Sequence, residues 1–364
     1  MSSQLSGVTA LLAAGGTGGH LQPALAVAEE AQARGARVVV VTTPAHVERV
    51  AERYTTYSLE LKGFARRLAP REYARTAQLL AAAVPHVRRI LKEVRPDVAM
   101  GGGGFASGPV VALAALSGVP ALATEADAHL GVANRMLRPF VRRVCLSFPI
   151  EGLGPRKFVV TGRPLSPGQL AATAAEGREA FGLRSDLPVL LAFGGSQGAQ
   201  SINRACVEAF GGRAAGLQVV HVCGPRNHAE IRVALEARGE RFEHYRLVAY
   251  TDRLAAAMAA ADLVVARSGG SVAELAALGR PAILVPYPYA TADHQRKNAR
   301  WMVDGGAALM VDDAELDGEV LGVLVGDLLA HGDRLAAMAA ASAALGRPDA
   351  AQRVVDELQK LLGR

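Results

Sequence analysis

Three glycine-rich segments hold the residues whose types and spacing could do chemistry. The first is GGTGGH, Gly15 to His20, followed at once by LQPALAVAEE. The second is GGGGFASGP, Gly101 to Pro109, and the third is GGSQGA, Gly194 to Ala199. Each follows a short apolar run and opens a helical stretch, so each reads as a strand-to-helix turn. Glycine there leaves backbone amides uncovered, and amides at a helix start attract an anionic group. One such turn says little. Three, each at the carboxyl end of a strand, describe a surface built for phosphates or sugars. GGTGGH is not the GxGxxG fingerprint, and no acidic residue closes the second strand to hold a ribose, which argues against a nicotinamide enzyme.

Around these turns stand side chains with chemistry of their own. His20 sits at a helix start, with an intrinsic pKa suited to a general base, or else it is a capping or packing histidine. Ser196 could cap its helix and bond a phosphate. In ARSGGSVAE, Gly269, Gly270 and Ser271 follow a strand and Glu274 lies one turn into the next helix. A carboxylate there could accept both hydroxyls of a ribose, or simply complement the helix dipole. The segment PYPYATADHQRKNA sets His294, Gln295 and Asn298 at another helix opening. Side-chain amides both donate and accept, which suits sugar hydroxyls, although in isolation this cluster reads as a capped helix.

The elements that must position these residues follow from the hydropathy pattern. The chain has 364 residues, 50% hydrophobic and 20% charged, which suggests two domains and excludes a disordered chain. Strand candidates in the first half are 8–14, 37–42, 58–61, 98–100, 121–124 and 144–147. Those in the second half are 189–193, 219–223, 247–249, 263–266, 283–285 and 308–311. Ala/Leu-rich helical stretches separate them, which specifies α/β domains, each a doubly wound, Rossmann-like parallel sheet with helices on both faces. The pattern breaks at TGRPLSPG, Thr161 to Gly168. The expected division is 1–163, 164–345 and a final amphipathic helix within 346–364 that packs back on the first domain, with the two domains facing across a cleft.

Charge is uneven. Residues 1–163 carry 20 Lys+Arg against 11 Asp+Glu, and residues 164–364 carry 20 against 23. Nine basic residues fall between Lys62 and Arg95, among them Arg66, Arg67, Arg71 and Arg75, and a second group is Arg135, Arg138, Arg142 and Arg143. Interleaved with leucines, they read either as a surface for anionic lipid or as a solvated face. With aromatic residues at 5% and no binding motif, nothing offers nucleic acid a stacking platform. Three scattered cysteines give neither a disulfide framework nor a metal site, and no apolar run approaches the ~20 residues of a membrane span. The N-terminus has no basic flank ahead of its apolar run, so a cytoplasmic protein without a signal peptide is expected.

Taken together, the segments resemble the MurG-type family, the N-acetylglucosaminyltransferases that make lipid II in peptidoglycan synthesis. The matching pieces are GGTGGH, GGFASGP, the ANR from Ala133, GGSQGA, the HVCG from His221, YTDRL, ADLVVARSGG, VAELAALGRPAILVPYP and DHQRKNA, in the family's order. The resemblance implies the GT-B fold. It implies inverting transfer of N-acetylglucosamine from UDP-N-acetylglucosamine to the muramyl C4 hydroxyl of an undecaprenyl-pyrophosphate-linked acceptor. It places the donor on Thr17, Gly18, Gly19, Arg163, Ser196, Gln197, Thr251, Gly269, Gly270, Ser271, Glu274 and Gln295. Within that set Ser196 and Gln197 meet the diphosphate, Glu274 the ribose, Thr251 the uracil and Gln295 the sugar. The acceptor falls to Gly102, Gly103, Gly104, Ser107, His129 and Asn134. His20 is the implied base, with Asp127 and Glu125 as rivals. No cofactor is implied, and with no DxD pair in the donor half no metal is expected; helix N-termini and neutral donors would stabilise the departing UDP. The basic–apolar surface of the first domain would rest on the inner face of the cell membrane.

The sequence departs from the family at three places. The HEQN tetrad reads TEAD, Thr124 to Asp127, with His129 two residues on as a candidate replacement imidazole. The linker GNPVR reads GRPLS, which puts Arg163 where asparagine is usual. RSGGSVAE is one residue shorter than the usual motif. Alternatives are a related GT-B enzyme on another lipid or small-molecule acceptor, a UDP-sugar epimerase, or a non-catalytic UDP-sugar-binding protein.

Overall fold

The computed structural model describes residues 4–15, 18–60, 70–104, 107–195, 197–212, 216–238 and 244–363, with the backbone alone for 70–81. Thr17, Ser196, Lys62, Arg66 and Arg67 therefore lie outside the described residues, as do the side chains of Arg71 and Arg75. The chain forms two compact units, residues 1–166 with 348–364, and residues 167–347.

In the first unit the elements run β1 (Thr9–Ala13), α1 (Gly18–Ala33), β2 (Arg37–Thr42), α2 (Val47–Ala51), β3 (Thr55–Ser58), α3 (Pro70–Val94), β4 (Val98–Gly101), α4 (Ser107–Leu116), β5 (Ala121–Glu125), α5 (Val132–Leu137), β6 (Arg143–Leu146) and β7 (Phe158–Val160). All seven strands are parallel, in the order β3-β2-β1-β4-β5-β6-β7. β1 and β2 are apolar at successive positions because both faces of the sheet are covered. Ala10, Leu12, Val38 and Val40 pack into one core with α1, while Leu11, Ala13, Val39 and Val41 pack into the opposite core with α3 and α4.

The second unit continues with α6 (Pro167–Leu170), α7 (Ala174–Phe181), β8 (Val189–Phe193), α8 (Gln200–Phe210), β9 (Gln218–Val222), α9 (His228–Glu236), β10 (Tyr245–Val248), α10 (Leu254–Ala260), β11 (Leu263–Ala266), α11 (Ser271–Ala277), β12 (Ala282–Leu284), α12 (His294–Asp304), β13 (Ala308–Met310), α13 (Gly318–Ala330) and α14 (Gly332–Leu345). Its six parallel strands are ordered β10-β9-β8-β11-β12-β13.

The last helix, α15 (Ala350–Leu361), belongs to the first unit. Val354, Val355 and Leu358 complete the core under β1 and β2. Arg34, in the turn after α1, bonds Asp356 at 2.5 Å and Gln359 at 2.8 Å, and Arg143 of β6 reaches Glu357 at 3.3 Å.

Two local expectations are corrected. The third strand lies at 55–58 rather than 58–61, because TTYS carries the β-branched and aromatic residues that suit an edge strand. β7 was not expected at all; its three residues are too few to show a period.

In both sheets the strand order reverses at the first strand, between β1 and β4 and between β8 and β11. Ligands of open α/β sheets bind at these reversals, outside the carboxyl ends of the strands. All three glycine turns, together with ARSGGS, emerge there.

Candidate functional site

At the reversal of the first sheet, the turn after β4 lies directly on the start of α1. Gly102 N donates to Ala13 O at 2.8 Å. A Cβ at Gly102 would stand 2.8 Å from that of Ala24, and one at Gly103 only 2.6 Å from His20 Nδ1. At Gly104 it would lie 2.1 Å from Gly15 O. Gly103 and Gly104 also hold φ of 86° and 76°. The bare backbone thus lets the turn close against the half-buried imidazole of His20 and fix its position. Ser107, expected on the acceptor, is instead fully buried, and its hydroxyl donates to Gly104 O at 2.9 Å. It shapes the turn.

The turn of α1 that carries His20 needs help. Pro23 lies inside the helix and has no N–H, so the carbonyl four residues earlier, Gly19 O, loses its helical partner. Arg163 supplies one, with Nη2 donating to Gly19 O at 2.7 Å from a side chain only 6% exposed. Arg163 thus belongs to the first unit, beside His20, whereas the other donor candidates outside the Gly15–His20 turn lie in the second.

Glu125 ends β5 and is 5% exposed. Its Oε1 accepts from Ala126 N at 3.0 Å and Asp127 N at 3.4 Å, and its Oε2 from Gly131 N at 2.8 Å and Asn134 Nδ2 at 2.9 Å. Burial raises its pKa, opposed by the bonds from Asn134 and Gly131. A carboxylate whose two oxygens accept four hydrogen bonds from its own loop organises that loop. Asn134, likewise buried, also donates to Thr124 O at 3.0 Å, so it braces the same loop. Thr124 itself donates to Gly101 O at 3.3 Å. Asp127 and His129 are held half-buried between these anchors.

In the second unit the turn after β8 leads through Gly194 and Gly195 to the exposed Gln197 and to Gly198, whose φ is 76°. Across the reversal, β11 leads through Arg267 to Ser268, Gly269 and Gly270, with Ser271 Oγ donating back to Arg267 O at 3.2 Å. Helix α12 closes on this loop. Asn298 Nδ2 donates to Ser268 O at 3.1 Å, and Gln295 Nε2 stands 3.9 Å from where a Gly269 Cβ would be. Gln295 Oε1 accepts from Tyr287 N at 3.0 Å. Just before α12, Ala292 and Asp293 both hold positive φ, 54° and 53°. Non-glycine residues pay about 1–2 kcal/mol in that region, a strain that marks functional loops. Glu274 is half-buried in the first turn of α11. Thr251 Oγ1 accepts from Arg253 N at 3.0 Å, in the turn that opens α10.

Sequence reasoning missed Arg267. Its Nη1 meets Asp313 at 2.5 Å and the Val285 and Pro286 carbonyls at 3.2 Å, its Nη2 meets Ser201 Oγ at 3.1 Å, and its guanidinium faces the Tyr287 ring at 5.5 Å. It ties four segments together beneath the loop. Its only signal in the sequence is a lone cation directly after an apolar strand. Among the described residues no group of three His, Cys, Asp or Glu is placed to hold a metal ion.

Residues 10–146 match the glycosyltransferase family 28 N-terminal domain and residues 189–354 its C-terminal domain. The chain is 37% identical, over 95% of its length and 96% of the relative's, to the UDP-N-acetylglucosamine–N-acetylmuramyl-(pentapeptide) pyrophosphoryl-undecaprenol N-acetylglucosamine transferase of Halothermothrix orenii. It is 39% identical to the protein of that name from Mycolicibacterium smegmatis, over 96% and 92%. The crystal structure of Acinetobacter baumannii MurG superposes with a TM-score of 0.76 at 28% identity, covering 97% of this chain and 99% of that one. A Neisseria meningitidis UDP-GlcNAc 2-epimerase bound to UDP-GlcNAc superposes at 0.71 with 14% identity, over 97% and 100%, a likeness of fold alone.

Proposed function

The chain belongs to the MurG-type transferases of glycosyltransferase family 28, and from that premise we propose that it transfers N-acetylglucosamine from UDP-N-acetylglucosamine to a lipid-linked muramyl acceptor, turning lipid I into lipid II. The observation that carries this reading is the pair of sheet reversals, each faced by glycine turns and polar side chains.

The donor lies on the second unit. Gln197 with Ser196, and the Gly269–Ser271 loop, receive the diphosphate. Glu274 takes the ribose hydroxyls, Thr251 lies by the uracil, and Gln295 reads the sugar. The acceptor meets the Gly102–Gly104 turn and the loop that Glu125 and Asn134 hold. His20 takes the proton from the C4 hydroxyl as its oxygen attacks the anomeric carbon, and the bond to UDP breaks on the opposite face with inversion. Amides and neutral donors at the glycine turns stabilise the charge gathering on the diphosphate. Asp127 remains the rival base. Arg163, by contrast, acts through Gly19 on the turn that carries His20.

The first unit also turns an apolar and basic surface outward. Val132, Met136 and Phe140 are 53%, 53% and 42% exposed, among the exposed Arg135, Arg138 and Arg142. Among the described residues no helix is long and apolar enough to cross a membrane. This face rests peripherally on the anionic leaflet that holds the acceptor.

The test is UDP release from UDP-N-acetylglucosamine, with and without a short-chain lipid I analogue, in the presence of chelator. Acceptor-dependent release with a disaccharide product is expected, and it is lost on His20→Ala while UDP still binds. Release without acceptor, or donor binding with no turnover on the analogue, would overturn the lipid II reading.

A further inference from the structure

The sheet of the second unit buries a line of polar side chains that neither the donor nor the acceptor site uses. His221, the fourth of the five residues of β9, is wholly inaccessible, and Tyr245 and Asn203 beside it are 5% and 0% exposed. Tyr245 is set among the leucines, valines and isoleucines of the main core. Apolar side chains of similar shape would satisfy such a position at no loss, so a hydrogen-bonded line here calls for a reason.

The bonds run in one direction. Asn203 Nδ2 donates to Cys223 O at 2.9 Å, so its Oδ1 must accept. His221 Nε2, 2.9 Å away, therefore carries the ring proton, and Nδ1 accepts from the Tyr245 hydroxyl at 2.7 Å. Burial pushes the imidazole pKa down to about 3, so it stays neutral at working pH and keeps that tautomer. The line ends at the Cys223 carbonyl, at the carboxyl end of β9. Asn227 Nδ2 bonds the same carbonyl at 3.0 Å and Gln197 O at 3.2 Å. Here two backbones touch, since a Cβ at Gly198 would lie 2.0 Å from Cys223 O and one at Gly224 2.7 Å from Gly198 N.

We propose that Tyr245, His221 and Asn203 are positioning residues for the donor: by fixing the Cys223 carbonyl they set the bed on which the Gln197–Gly198 turn lies, and so the groups that turn offers to a nucleoside diphosphate. This rests on the donor reading given above. The line touches no substrate; it acts through Cys223 and Asn227.

The test uses the full-length enzyme with UDP as probe. Tyr245→Phe, His221→Leu and the double variant are compared for UDP affinity by calorimetry, for both KM values and for thermal midpoint. Tyr245→Phe, the variant least able to disturb folding, should weaken UDP binding about fivefold and leave the acceptor KM unchanged. His221→Leu should weaken it further, and adding Tyr245→Phe to it should change nothing more, because one broken line is not broken twice. Folded variants that bind UDP as the wild type does, or losses that simply add, overturn the proposal. Glu274→Gln is the control for the premise. If it leaves UDP affinity untouched, the donor reading itself falls, whatever the line does.

Discussion

At the scale of single residues, the buried carboxylate of Glu125 holds its loop through four hydrogen bonds. Glu125 offered a carboxylate in the right loop, but only geometry shows both its oxygens bound to that loop's amides. His221 read as part of a motif; its partners lie 18 and 24 residues away, beyond any local pattern. Arg163 stood where asparagine is usual and invited a phosphate-binding role. In the structure it bonds the carbonyl that Pro23 leaves open. Arg163→Met keeps the length of the side chain and removes the donor, so the Gly19 carbonyl loses this partner at about 1 kcal/mol. The expected result is a kcat lowered about tenfold or more with UDP affinity unchanged. A weakened UDP affinity in calorimetry would return Arg163 to the diphosphate.

At the scale of elements, the sequence resolved strands wherever burial on both faces made a continuous apolar run, as in RVVVVT and VLLAF. It failed at the half-exposed edges, where TTYS and FVV carry too weak a pattern to fix their bounds. The glycine turns were legible as turns, and the reversal of strand order explains why they matter there, a fact of topology that no local window contains. Helix α15 was legible as amphipathic, and its partners became clear only in three dimensions. Its contribution is measurable by denaturation. Leu358, 1% exposed in the shared core, should cost about 2–4 kcal/mol when changed to Ala. Arg353→Ala removes only a surface pair with Asp349, both side chains over two-fifths exposed, and should change stability by less than about 0.5 kcal/mol. Equal effects would mean that the helix is held by its charges rather than by its buried face.

For the whole molecule, the division of charge is the property most directly read from sequence, with 20 basic against 11 acidic residues before position 164 and 20 against 23 after. Structure adds where part of that excess lies, around Val132, Met136 and Phe140. Reversing Arg135, Arg138 and Arg142 to Glu should weaken binding to vesicles containing anionic lipid at least about tenfold, since each cation near such a surface is worth about 1 kcal/mol. Binding to neutral vesicles and turnover on a short-chain acceptor should hardly change. Unaltered binding to the anionic vesicles would take the membrane away from this face.

The return of α15 to the first unit has a consequence for how the protein is born. The second unit is continuous, residues 167–347, and can close as soon as its last helix leaves the ribosome. The first unit, although begun earlier, must wait with the core beneath β1 and β2 open until Val354, Val355 and Leu358 emerge, after the whole of the second unit. Partners more than 300 residues apart, such as Arg34 and Asp356, are the slow kind to bring together. The half of the protein that is translated first is therefore finished last, and for that interval it is the half most in need of a chaperone.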